Sequence, residues 1–148
     1  MKIELLLTGK TEQGYLKEGI ALYEERLRHY CGFVRKELPD KKSKELEGDA
    51  IIKNIKESDY VILLDEKGKA FSSVQFAQTI ENMGVRAVKK IIFVVGGAYG
   101  FSDSVYKRAN DILSLSPMTF SHQMVRLIFT EQLYRAFTII RGEPYHHK

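Results

Sequence analysis

The stretch Leu113–Arg126, LSLSPMTFSHQMVR, passes from a short apolar strand through an uncharged loop into a long helix. Its loop of Ser116, Pro117, Met118, Thr119 and Phe120 sets hydroxyl, thioether and aromatic groups beside free backbone N–H and C=O groups. A pocket for a flat heterocycle needs that mixture. Ser121 is placed to cap a helix beginning near His122 by accepting a hydrogen bond from a first-turn N–H. Taken alone, the stretch is equally an ordinary strand-to-helix connection. A second loop, Gly96-Gly97-Ala98-Tyr99-Gly100, also joins a strand to a helix, but its glycines miss the dinucleotide spacing, and no P-loop Gly-Lys-Ser/Thr follows. The glycines there either let backbone approach a ligand or supply a tight turn with positive φ. The third place is Leu64-Asp65-Glu66-Lys67-Gly68-Lys69, which reads as a polar turn after an apolar strand.

The elements that must position these loops follow from periodicity. Ile3–Leu7 is an apolar opening strand, and after Thr8-Gly9-Lys10 the residues Leu16, Ile20, Tyr23, Leu27 and Tyr30 form one helical stripe. A strand near Phe33–Leu38 stops at Pro39-Asp40, and a helix carrying Leu46, Ala50, Ile51 and Ile55 follows. Tyr60–Leu64 is the next strand. Ser72 and Gln75 have capping-box spacing for a helix through Phe76, Ala77, Ile80 and Met83, with Gly84 placed to end it. Lys90–Val95 is the strongest strand, buried on both faces and therefore central. Ser102 or Asp103 caps a short helix through Val105 and Ala109, which leads to the strand Ile112–Leu115. Strand alternates with helix throughout, so the expected fold is α/β, a mostly parallel sheet with helices on both faces. Ligands in such sheets bind outside the carboxyl ends of the strands, where all three loops lie. The last helix, about His122–Arg141, spreads Val125, Ile128, Phe129, Leu133, Ala136, Phe137, Ile139 and Ile140 over roughly half its circumference. It is either a deeply buried core helix or one shared with a second subunit.

A chain of 148 residues, 44% apolar and 28% charged, fits one soluble globular domain spanning 1–148. No apolar run approaches the ~18 residues of a membrane span, and Glu4 sits where a secretory signal would have its apolar core, so a cytoplasmic location is expected. The single Cys31 excludes an internal disulfide, and with only His29 near it no metal-ligand spacing appears; no metal is expected. A net charge of +4 suits an anionic partner without demanding one.

Taken together, Leu64-Asp65 with Gly68-Lys69, Val95-Gly96-Gly97 with Gly100, Leu113-Ser114-Leu115-Ser116 with Met118-Thr119-Phe120, His122, Arg126, Glu131-Gln132, Leu133-Tyr134-Arg135-Ala136 and the closing Pro144-Tyr145-His146 resemble the RlmH family. These are SPOUT-class methyltransferases of N3 of a pseudouridine in large-subunit ribosomal RNA. The resemblance covers essentially the whole chain. It implies an S-adenosylmethionine (SAM) enzyme, a C-terminal trefoil knot and a homodimer acting on the ribosome. It also implies cofactor contacts from Leu64, Gly96, Leu115, Ser116, Pro117, Met118, Thr119 and Phe120. Pro117 stands where the family varies, and His147 follows His146 where many members continue with a basic residue.

For such a reaction the acceptor imide nitrogen must lose its proton, to a base or with donors stabilising the imidate. The candidates are His146 and Tyr145, on a tail after Gly142 that is free to fold over a pocket, and His122 and Arg126, in the first turns of the last helix. His122 is also open to a capping or core role, and His146 to an unstructured end. Arg126 and Arg135, nine residues apart, point to opposite sides of one helix, and Arg135 is spaced for an ion pair with Glu131. The competing class is a non-catalytic dimeric RNA-binding domain; a flavodoxin-like nucleotide binder is disfavoured by the missing phosphate motif.

Overall fold

The computed structural model describes residues 1–147. Five strands, β1 (Lys2–Thr8), β2 (Gly32–Leu38), β3 (Tyr60–Ala70), β4 (Lys90–Val95) and β5 (Asp111–Ser114), form one sheet in the order β2-β1-β4-β3-β5 with every pairing parallel. Five helices alternate with them: α1 (Gly14–Leu27), α2 (Lys44–Lys53), α3 (Ser73–Val85), α4 (Asp103–Arg108) and α5 (Met124–Ile140).

The unbroken apolar run of β4 is explained by its place between β1 and β3. Ile91, Phe93 and Val95 enter a core with Leu27 of α1, Phe76 and Ile80 of α3, and Phe129 and Leu133 of α5. The alternate residues Ile92 and Val94 enter a second core with Ile51 of α2 and Val105 of α4. A sheet covered on both faces has no polar side to its central strand.

Local chemistry sets the helix starts. Ser72 accepts from the Gln75 N–H at 3.1 Å while the Gln75 side chain accepts from the Ser72 N–H at 2.9 Å, the expected capping box. Ser43 caps α2 by accepting from Leu46 N–H. Ser102 occupies the N-cap position of α4, but its hydroxyl bonds Ser104 and caps nothing.

Four expectations are corrected. Gly84 lies inside α3; the left-handed residue that ends the helix is Ala87, with φ 60°, whose N–H bonds Gly84 O while Val88 N–H bonds Met83 O. A Cβ at positive φ is strained. Replacing Ala87→Gly should therefore stabilise the fold by roughly 0.5–1 kcal/mol, a rise in melting midpoint of about 2 °C by calorimetry. Second, Leu64–Lys69 is a bulged continuation of β3 and not a terminal turn: pairing with β5 stops at Leu64 and resumes at Lys69. Third, β5 ends at Ser114, one residue before the expected end. Fourth, α5 begins at Met124, not near His122.

Candidate functional site

Beyond the carboxyl ends of β3, β4 and β5 lies a cleft of about 390 Å³, within the range of small-molecule pockets. Its walls are Leu64, Val95, Phe101, Leu115, Phe120 and Val125; its polar lining includes Asp65, Glu66, Ser114, Ser116, Thr119 and His122. Among the described residues no Lys or Arg lines it. The three loops read from the sequence converge here. Of the expected cofactor contacts, Leu64, Gly96, Leu115, Ser116, Met118, Thr119 and Phe120 line the cleft.

Pro117 does not line it. Ser114 Oγ donates to Ser116 O at 2.8 Å and Met118 N–H donates to Ser116 Oγ at 2.9 Å, so residues 114–118 fold into a small turn in which Pro117 is exposed. Its fixed φ stiffens the turn. Across the mouth, Thr119 Oγ1 donates to Glu66 Oε2, joining the β5 loop to the bulge of β3. Asp65 is held by Lys67 N–H and by the Tyr106 hydroxyl, whose pKa burial and Asp65 push up to about 12. Gly68 is required by contact: a Cβ there would lie 2.6 Å from the carbonyl carbon and oxygen of Ile112.

The glycine loop serves both purposes the spacing left open. Gly100, at φ 80°, supplies the turn and its N–H bonds Gly97 O. Gly96 gives room: a Cβ would press to 3.2 Å on the Phe101 ring, which is itself a wall of the cleft. Gly97 is backed by Glu47 of α2, whose carboxylate oxygens would lie 2.9 and 3.1 Å from a Cβ. Burial raises the Glu47 pKa, as does Asp40, against the Lys41 backbone N–H and the charge of His122.

His122 reaches the cleft and Arg126 does not. Ser121 Oγ accepts from Met124 N–H at 3.1 Å, so it caps a lead-in turn, and Gln123 pins that turn by accepting from Glu12 N–H and donating to Lys10 O. Arg126 is fully buried. Its guanidinium donates to Thr8 O, Gly9 O, Thr11 Oγ1 and His122 O at 2.8–3.1 Å, with Glu37 at 3.6 Å. Every direction a substrate would approach from is taken, so the geometry gives Arg126 a clamping role between β1 and the start of α5.

The tail packs back along α5 instead of lying free. Gly142, φ 69°, ends the helix, and Glu143 N–H bonds Thr138 O. Tyr30 OH donates to the Glu143 carboxylate, and Tyr145 OH donates to Glu131 Oε2 at 3.0 Å. The Tyr145 ring packs edge-on to Tyr134 and under the Arg135 guanidinium. Arg135 pairs with Glu131 as the spacing implied, and its Nη1 lies 3.1 Å from His146 Nδ1. Arg135 is thirteen residues beyond His122, roughly 20 Å along the helix axis. Within one chain, His146 and Tyr145 are therefore remote from the cleft.

Asp65 and Glu66 lie in a loop the sequence marked but were not named as contacts, and Phe101, Val125 and Glu47 were not read as part of the site at all. The acidic pair directly after an apolar strand was a visible signal; Phe101, Val125 and Glu47 acquire their places only when separate elements meet.

A parallel sheet with a loop-built cleft at its carboxyl edge matches known proteins along the whole chain. A family profile described as "Predicted SPOUT methyltransferase" matches residues 1–146, and the chain belongs to that family, the SPOUT methyltransferases. A ribosomal RNA large subunit methyltransferase H from Parabacteroides distasonis is 51% identical, and one from Christiangramia forsetii 52% identical, each aligned over 100% of both chains. Within the SPOUT class, the chain is thus a member of the ribosomal RNA large subunit methyltransferase H family. In fold it is similar to a "probable methylase family protein" from Haemophilus influenzae Rd KW20, with TM-score 0.54 and 15% identity over 99% of this chain and 70% of that one. A Legionella pneumophila protein solved with bound SAM shares the fold at TM-score 0.50 and 12% identity, over 93% of this chain and 66% of that one.

Proposed function

We propose that the chain is a cytoplasmic, SAM-dependent methyltransferase of N3 of a pseudouridine in large-subunit ribosomal RNA, working as a homodimer whose sites are each completed by the other copy's tail. The observation that carries this reading is the separation of two half-sites. The cleft holds cofactor-like chemistry, while Tyr145 and His146 lie at the far part of α5. A second copy can bring one chain's tail to the other's cleft. The half-buried Val125, Ile128, Tyr134, Ile139 and Ile140 of α5 supply apolar surface for such a contact. Phe137, a candidate for that contact, is instead spent within the chain's own core, stacked on Tyr30. A trefoil knot in the C-terminal half belongs to the same reading.

The lining fits SAM. Apolar walls suit an adenine ring and a methionine chain, the free oxygen of Glu66 suits a ribose hydroxyl, and no fixed cation opposes a sulfonium. SAM bound there supplies an electrophilic methyl group on a positively charged sulfur. The chain's own part is to hold both reactants in line and stabilise the acceptor imidate.

With +4 over these 148 residues, few phosphate contacts are available, so substrate shape must supply recognition. Tritiated methyl incorporation should therefore proceed on assembled ribosomes and hardly at all on protein-free ribosomal RNA. Equal incorporation into naked RNA would remove the shape argument, and none into either would remove the enzyme. A non-catalytic RNA-binding scaffold has no use for the cleft. Sedimentation at micromolar protein should give twice the 17.0 kDa chain mass; a soluble monomer would rule out the shared site.

A further inference from the structure

We propose that Arg135 fixes His146 as a neutral imidazole protonated at Nε2, so that His146 donates a hydrogen bond to the acceptor imidate and is not the base that removes the imide proton. This rests on the methyl-transfer reading above and specifies what one residue of the tail does in it.

Arg135 Nη1 lies 3.1 Å from His146 Nδ1. A guanidinium has donors and no acceptor, so Nδ1 must be the acceptor and carry no proton. The ring proton of the neutral imidazole then sits on Nε2. Protonating Nδ1 would set an N–H against an N–H beside a fixed positive charge.

The surrounding groups keep this arrangement in place. Glu131 accepts from Arg135 Nε at 3.2 Å and Nη2 at 3.0 Å, and these bonds hold the guanidinium ionised, with its pKa raised. Tyr145 lies against the same guanidinium, 4.8 Å from ring centre to carbon. Burial, together with its bonds to Tyr23 and Glu131, raises the Tyr145 pKa, so its phenol stays protonated too. The cluster of Glu131, Arg135, Tyr23, Tyr145 and His146 thus presents donors and no free base.

In the transfer step the imide proton leaves N3 to solvent water. The N3 lone pair forms the bond to the methyl carbon, and the carbon–sulfur pair stays on sulfur, leaving a neutral thioether. His146 keeps its Nε2 proton throughout and bonds an imidate oxygen, where charge accumulates. Arg135 is the positioning residue.

Two measurements test this. Nitrogen-detected NMR of the imidazoles in the unaltered protein should show His146 unprotonated at Nδ1 and protonated at Nε2 at neutral pH, and Arg135→Met should lose that preference. Single-turnover methyl transfer on ribosomes should rise about tenfold per pH unit through the neutral range with no plateau near the ordinary histidine pKa of about 6.5. His146→Ala should slow transfer by about 10²–10³-fold, the usual loss for an oxyanion donor, and His146→Gln, which keeps an N–H donor, should recover much of it. A plateau in the unaltered enzyme that His146→Ala abolishes, a proton on Nδ1, or a Gln variant as slow as the Ala variant would overturn the donor assignment alone. Absence of any transfer by the unaltered chain would overturn the proposed function as well.

Discussion

Removing Pro144–Lys148 should lower methyl transfer to ribosomes by roughly a thousandfold, through lost positioning and lost stabilisation of the imidate, and leave SAM affinity nearly unchanged. Lys148 lies outside the described residues; the effect is assigned to Tyr145 and His146. Among the described residues no part of the tail lines the cleft, so cofactor binding has no direct reason to suffer. The tail's contacts with its own chain are peripheral. Tyr145 and His146 bond Glu131 and Arg135 on the flank of α5, and the helix is already closed by Gly142 and Glu143, which the truncation keeps. Melting temperature should therefore move little. Single-turnover transfer and calorimetric SAM binding on the same preparation check the two halves. A truncated enzyme of full activity would remove the tail from the mechanism, and parallel loss of SAM affinity would mean that the tail belongs to the cofactor site.

Arg126→Met should destabilise the fold by about 3–5 kcal/mol, the usual result of removing one partner from a buried charged network. The carbonyls of Thr8, Gly9 and His122 and the Thr11 hydroxyl would all lose a donor at once. At this chain length the melting midpoint should fall by roughly 10 °C. His122 sits on the turn that Arg126 holds, so SAM binding should weaken at temperatures where the variant is still folded. A variant with unchanged stability would contradict the clamping role.

Glu37 of the same cluster adds a pH signature. Burial alone would raise its pKa, but the Thr11 hydroxyl and N–H and the charges of Arg35 and Arg126 outweigh burial and hold it below the ordinary carboxylate value. Its folded pKa is thus lower than its unfolded one. The stability it contributes is complete above the ordinary carboxylate range and is lost as pH falls through the depressed folded value.

The sheet and its loops were legible because their signals are local. The apolar run Lys90–Val95 could be buried only as a central strand, and Ser72 with Gln75 formed the capping box their spacing required. The uncharged loop Ser116–Phe120 and the glycine turn were marked as candidate ligand loops by their side-chain types and their place after strands, and all but Pro117 and Tyr99 of them line the cleft. What the sequence concealed depends on tertiary competition. Arg126 on a helix beside a ligand loop looks like a catalytic cation until the carbonyl ends of β1 are found to surround it. Ala87 gave no hint of a left-handed cap because Gly84, three residues earlier, is the better former of one; the helix ran one turn further. The polar run Asp65–Gly68 reads as a turn, yet β5 pairs on both sides of it, with Gly68 fitted against Ile112. The docking of the tail rests on Glu131 and Arg135, more than ten residues back, which no local pattern reports.

The central claim is that the cleft at the ends of β3, β4 and β5 holds SAM, and calorimetric titration of SAM into the unaltered protein and into Gly96→Val tests it most directly. The unaltered chain should bind one SAM per cleft. The valine variant should not bind, because its side chain would drive the Phe101 wall, already 3.2 Å from a Cβ at that position, into the pocket. No heat and no thermal stabilisation of the unaltered protein at millimolar SAM would contradict the account, and undiminished binding by Gly96→Val would move the cofactor away from this cleft.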